Sequence, residues 1–200
     1  YHGEIINCYS INGANSRCDN AIIRWNHFRD ASSQTATVAI ASEIGDGFAP
    51  TLEIYGNIFE NLDTTDGMVG FLGNASNEGD CTDCKFYNNT IVDGGLFNGS
   101  DGVTFPDGSG NDIRNNLWIS PSGPSMSLGS GSTNDRNAFN QGASGTNSQT
   151  ITTSIFVNYA GSDYRLATNT NAGANLGAPY DTDLLGNTRT TWSRGAYEFQ

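Results

Sequence analysis

Beside its 21 carboxylates, this sequence has few side chains that could act as a cation or as a base near neutral pH: nine Lys and Arg and two His. Its one lysine, Lys85, directly follows Cys84 at the start of a predicted strand, and its two histidines are His2 and His27. His27 stands beside Arg29 and Asp30 and could serve as a general base. A lone histidine at a strand end reads first as a surface residue, and Lys85 as a solvated edge, so no catalytic residue is assigned. Four cysteines, Cys8, Cys18, Cys81 and Cys84, form an even set. Local pairing, Cys8 with Cys18 and Cys81 with Cys84, is expected because each bridge closes a short loop. Zinc would need "CTDC" to meet the distant Cys8/Cys18 pair tetrahedrally, and a redox motif would want a helix after its first cysteine. The acidic loops "EIGDGFAP", "NEGDCTD" and "DTDLLGN" offer oxygens of the kind calcium takes, without EF-hand spacing. Calcium is therefore the one cofactor left open, and no metal site is assigned.

The elements that must position these groups come from an internal repeat. A six-residue frame, apolar-x-x-Asn-x-apolar, fits "IRWNHF", "IYGNIF", "FYNNTI" and "IRNNLW", with a degraded fifth copy in "NDRNAF" and a candidate sixth in "EIINCY". The framed residues are Asn26, Asn57, Asn89, Asn116 and Asn137, at steps of 31, 32, 27 and 21 residues. A second apolar pair follows each of the first four: Val38/Ile40, Val69/Phe71, Val103/Phe105 and Met126/Leu128. Gly/Asn/Asp-rich turns separate the units.

Two short strands and a return of variable length describe one coil of a solenoid, which buries its apolar face only by stacking on its neighbours. The repeat predicts an all-β chain, a parallel β-helix of about five to six coils, with residues 1–149 as coils and 150–200 as a closing segment of the same domain. The asparagines should stack at a bend, accept the left-handed backbone there, and link amide to amide. Phe28, Phe59, Ile91, Trp118 and Phe139 should stack inside. Two positions before each asparagine, Arg24, Tyr55, Tyr87 and Arg114 should form an outward column. At about 4.8 Å per coil they would span roughly 14 Å. Tyrosine faces between two guanidinium groups suit sugar rings and their carboxylates; a cross-coil stack that only protects the sheet is the plainer reading.

The formal charge of −12 and a pI near 4.2 argue against nucleic acid and anionic membrane surfaces as partners. No run of 18 apolar residues exists, so no membrane insertion is expected. The chain opens at "YHGEIINCYS", which on this repeat reads as the inside of a coil, so its N-terminal end should be covered by upstream coils, a partner chain or a head-to-tail copy.

The last fifty residues carry a family resemblance. "FVN" (156–158), "DYRL" (163–166), "NAG" (171–173), "DLLGNTR" (183–189) and "RGAYE" (194–198) follow one another in a specific order. This segment resembles the end of bacterial right-handed parallel β-helix proteins of the pectate-lyase-like superfamily, and is most similar to the secreted choice-of-anchor group. The resemblance implies a right-handed β-helix, export, and attachment to a cell surface. It does not imply one activity. Relatives that cleave uronic-acid polymers resemble one another in using a basic residue, usually with calcium held by an Asp cluster; the hydrolases carry Asn-Thr-Asp, Asp-Asp and Gly-His-Gly signatures, which this chain lacks. The expectation is a non-catalytic extracellular module, a surface, fibre or adhesion structure that could bind acidic polysaccharide or cell-surface glycan. The alternative is a polysaccharide lyase or glycoside hydrolase.

Overall fold

The computed structural model describes residues 6–10, 20–30, 32–33, 38–42, 51–64, 69–72, 82–93, 103–120, 126–142 and 144–200. Short runs of β-branched and aromatic residues, broken by Asn, Asp and Gly, give strands of two to seven residues. Three parallel sheets dominate. The first contains Ile6–Ser10, Val38–Ser42, Val69–Leu72, Val103–Ser109 and Met126–Ser130. The second contains Ala21–Arg24, Leu52–Tyr55, Lys85–Tyr87, Asp112–Arg114 and Thr133–Asp135. The third runs through His27–Arg29, Ile58–Glu60, Thr90–Val92, Leu117–Ile119, Ala138–Phe139 and Gln149–Thr150. The chain enters the three in rotation, and within each sheet the strands stack in sequence order. The fold is all-β and mostly parallel, a path compatible with a solenoid.

Register shows how the repeats align. Phe28 pairs with Phe59, Phe59 with Ile91, Ile91 with Trp118, and Trp118 with Phe139. The rings of Phe28 and Phe59 stack at 5.1 Å, and those of Trp118 and Phe139 at 5.5 Å. Phe86, from the second sheet, sits 6.0 Å from Phe59 and 5.9 Å from Trp118. With Ile23, Ile54 and Ile113 these side chains fill the interior. Each fully buried ring or branched chain contributes about 1.5–3 kcal/mol. One repeat assignment needs correction. "EIINCY" is not a sixth copy of the Asn frame: Ile6 pairs with Val38 and Cys8 with Ile40, which makes it a copy of the second apolar pair. Alternation alone does not distinguish the two kinds of short strand within a coil.

The corner between the second and third sheets is built from side-chain amides. The Asn26 backbone N–H and Nδ2 both donate to Asn57 Oδ1, at 3.0 and 3.1 Å. Asn57 does the same to Asn89, Asn89 to Asn116, and Asn116 to Asn137, at 2.8–3.1 Å. Asn57, Asn89, Asn116 and Asn137 are 0 % exposed. Their second amide hydrogen serves backbone carbonyls such as Ile54 O and Phe86 O. The left-handed residue is not the framed asparagine, as expected from sequence, but the one before it: Trp25, Gly56, Asn88, Asn115 and Arg136 have φ of 52–64°. That preceding residue turns the backbone, which frees the framed asparagine to point its amide along the stack.

From residue 151 the chain leaves the parallel sheets and runs back along their outer flank. Ile155, Phe156, Tyr164, Leu166 and Ala196 pack over Ile58, Val92, Leu117 and Ile119 of the third sheet. Arg194 Nη1 and Nη2 donate to the carbonyls of Asn137 and Asn147, and Ala196 N to Thr90 Oγ1. Gly195 is required between them. Its φ is +98°, and a Cβ there would stand 2.7 Å from Thr90 Oγ1. The segment therefore lies across several strands of the third sheet and is fastened to them from the side.

Candidate functional site

In the second sheet, Ile23, Ile54, Phe86 and Ile113 point into the core. The period of two then turns Arg24, Tyr55, Tyr87 and Arg114 outward, and register places them in one column. Arg24 Nη1 donates to the Tyr55 hydroxyl at 2.9 Å, and the Tyr87 hydroxyl donates to Asp112 at 2.7 Å. Arg114 Nε donates to the same Asp112 at 2.7 Å. The column is not the open stripe expected from sequence. Tyr180 of the C-terminal segment stands edge-on to both Tyr55 and Tyr87, with centroids at 4.9 and 5.0 Å, and Trp192 joins the cluster. Tyr55 is 1 % and Tyr87 5 % exposed. Burial, and the carboxylate of Asp112, push the Tyr87 hydroxyl well above its ordinary range. No sugar can stack on rings already covered by protein, so the two tyrosines are withdrawn as ligand contacts. Arg24 stays exposed and Arg114 is partly so.

Lys85 is also spent. Its Nζ donates to Glu53 at 2.7 Å and to the Tyr180 hydroxyl at 3.1 Å. The bond to Glu53 holds the ammonium above its ordinary value against the opposing pull of burial, and Tyr180 adds to it. A lysine in this setting keeps its proton, the reverse of what a catalytic base requires.

His27 gains a partner. Its Nε2 lies 2.6 Å from the Glu60 carboxylate, which also accepts the Tyr164 hydroxyl at 2.8 Å and the Ser162 hydroxyl. Arg29 Nε stands 3.8 Å away. Burial pushes Glu60 up, but the bonds from Ser162, Tyr164 and His27 and the Arg29 charge outweigh it and hold the carboxyl below its ordinary value. A histidine oriented by a buried carboxylate is half of a general-base arrangement. Two of the groups on Glu60 come from the C-terminal segment, however, so the same carboxylate also anchors that segment. Nearby, the Tyr159 hydroxyl bridges both oxygens of Asp93 at 2.5 and 2.6 Å.

In the acidic loop at 181–187, Asp183 holds the turn together. Asp183 accepts from Leu185 N, Asn187 N, Asn187 Nδ2 and Glu198 N, so its own carboxylate is taken up within the protein. Among the described residues no group of three His, Cys, Asp or Glu is placed to hold a metal ion. The "EIGDGFAP" loop, most of "NEGDCTD", and His2 lie outside the described residues. So do Cys18, Cys81 and the side chain of Cys8, and with them the expected pairings. Cys84 is buried and is not a free thiol. Its Sγ accepts Leu52 N at 3.2 Å, and its own N–H donates to Asn111 Oδ1, a second corner ladder that the Asn frame did not reveal.

Compared with known proteins, the chain matches no family model, no curated protein and no solved structure. No helix among the described residues is long and apolar enough to cross a membrane.

Proposed function

We propose that the chain is a right-handed parallel β-helix of the pectate-lyase-like kind, acting outside the cell as a non-catalytic surface, fibre or adhesion module. The observation that carries this reading is how the outer polar groups are used. Lys85, Tyr87, Glu60 and Asp183 are each committed to holding protein against protein. Parallel crossovers are right-handed in about 98 % of cases, which supports the hand. The buried amide column and the flank clasp suit a stiff rod, because each coil is tied to the next and several are tied together from outside. The direct test is incubation of the full chain with polygalacturonate, alginate and neutral glucans, reading unsaturated products by ultraviolet absorbance and new reducing ends. No product is expected; steady turnover of any polymer overturns the reading.

The His27–Glu60 pair favours one second reading, an enzyme that uses His27 as base on a polysaccharide. Turnover abolished in His27→Ala would establish it.

A further inference from the structure

We propose that the first coil binds an extended segment of a second polypeptide carrying the frame apolar-(Asp/Glu)-x-Asn-x-apolar, seated on Asn26 as one more rung of the amide column. This docking does not depend on whether the chain turns over a polymer.

Each interface inside the stack shows what such a surface takes. From Asn57 to Asn137, every framed asparagine presents its Oδ1 to the N–H and Nδ2 of the asparagine above. Its own Nδ2 donates to the carbonyl three residues before that upper asparagine, on Ile23, Ile54, Phe86 or Ile113. The residue after it, Ile58, Thr90, Leu117 or Ala138, donates its N–H to the carbonyl of the upper asparagine.

The first coil carries the same groups, with no described residue above them. Asn26 Oδ1 accepts from no described residue, and Asn26 Nδ2 reaches only Asn57 and Arg24 O of its own strand. His27 N–H, the equivalent of Ile58 N–H, has no asparagine carbonyl over it among the described residues. Asn26 is exposed, whereas Asn57, Asn89, Asn116 and Asn137 are wholly buried. Phe28 stacks on Phe59 below it and is only half-buried. An open strand edge gains main-chain bonds from any added strand. The amide column adds a choice of residue, because one oxygen there takes both the N–H and the Nδ2 of a single asparagine.

Two further observations name the occupant. Arg24 stands two residues before Asn26, exposed, and donates to the Tyr55 hydroxyl. It forms no ion pair among the described residues of a chain with charge −12. The register that sets Arg24 over Tyr55 puts the second position of an incoming frame over Arg24, where a carboxylate pairs with it. The far end of the column is already covered. Asn137 is buried, and its carbonyl accepts Gln149 N–H and Arg194 Nη1, so a second copy has no framed strand to lend there. Two copies set first coil to first coil would face Oδ1 with Oδ1, each Asn26 N–H being spent on Asn57.

The probe is a synthetic peptide of residues 52–60, "LEIYGNIFE", with Tyr55→Asp, titrated into the full chain by calorimetry. Hydrogen exchange is followed in parallel. Binding is expected, with slower exchange at the His27 amide. Asn57→Ala in the peptide, or Asn26→Ala in the protein, should weaken it by about tenfold or more. In Arg24→Glu the preference should invert, so that a peptide with Tyr55→Lys binds more tightly than the one with Tyr55→Asp. No binding at about 1 mM peptide overturns the docking site. So does an Asn57→Ala peptide bound as tightly as its parent, or protection confined to other strands. A dimer of the full chain in sedimentation that Asn26→Ala dissolves would make a second copy the occupant, and overturns the assignment to another polypeptide.

Discussion

At the residue scale, the asparagine column shows why a poor strand former recurs at intervals of 21–32 residues. Each framed amide replaces bonds that a corner would otherwise leave unmade, and an unmade buried bond costs about 1–3 kcal/mol. Asn89→Ala would strip acceptors from Asn57 N and Nδ2 and a donor from Ile54 O. A loss of about 3 kcal/mol is expected, read as a lower midpoint in urea with an unchanged slope. Asn26→Ala, at the exposed end of the same column, should cost about 1 kcal/mol. Equal costs for the two would mean that burial does not govern the ladder. Gly195→Ala should also destabilise by more than about 1 kcal/mol, since it adds strain at φ +98° and a clash with Thr90.

Among the elements, the C-terminal segment decides which faces of the coils are open. It is held by apolar packing on the third sheet and by polar anchors that include Asn115, bonded to Ala174 and Gly195, and Glu60, bonded to Ser162 and Tyr164. The carboxyl of Glu60 sits below its ordinary value of about 4.5 in the folded chain. Near and below that pH the unfolded chain takes up the proton first. The stabilising contribution is therefore present above about 4.5 and lost as pH falls through the lower folded value. Glu198 follows the same sign: burial raises it, but bonds from Thr191, Ser193 and Thr190 prevail. The unfolding temperature should fall on acidification below about pH 4.5. In Glu60→Gln that fall should be shallower, from a start about 2 kcal/mol less stable, because Tyr164 and Ser162 lose a charged acceptor. An unchanged acid profile in Glu60→Gln would remove Glu60 as an anchor.

For the whole molecule, rigidity should come from the stack, the clasp and cross-links in the loops. Alkylation of the native protein without reductant is expected to label none of the four cysteines, measured by mass spectrometry. Two or more labelled thiols would place the protein in a reducing compartment and contradict the extracellular reading.

The stacking was legible in the repeat. The frame places Asn26, Asn57, Asn89, Asn116 and Asn137 in one column, and the residues two further on inside it, because every coil must solve the same local problem with the same residue types. It did not determine which outward residues stay exposed. Tyr55 and Tyr87 read as open because alternation reports only which side of a sheet a residue faces. Tyr180 lies about a hundred residues away in sequence and covers them. Likewise His27 met Glu60, and Glu60 met Tyr164, only because strands from successive coils and a returning segment converge there. Local periodicity encodes the repeat; contacts between a repeat and a non-repeating tail have no period to read, so tertiary packing alone settled them.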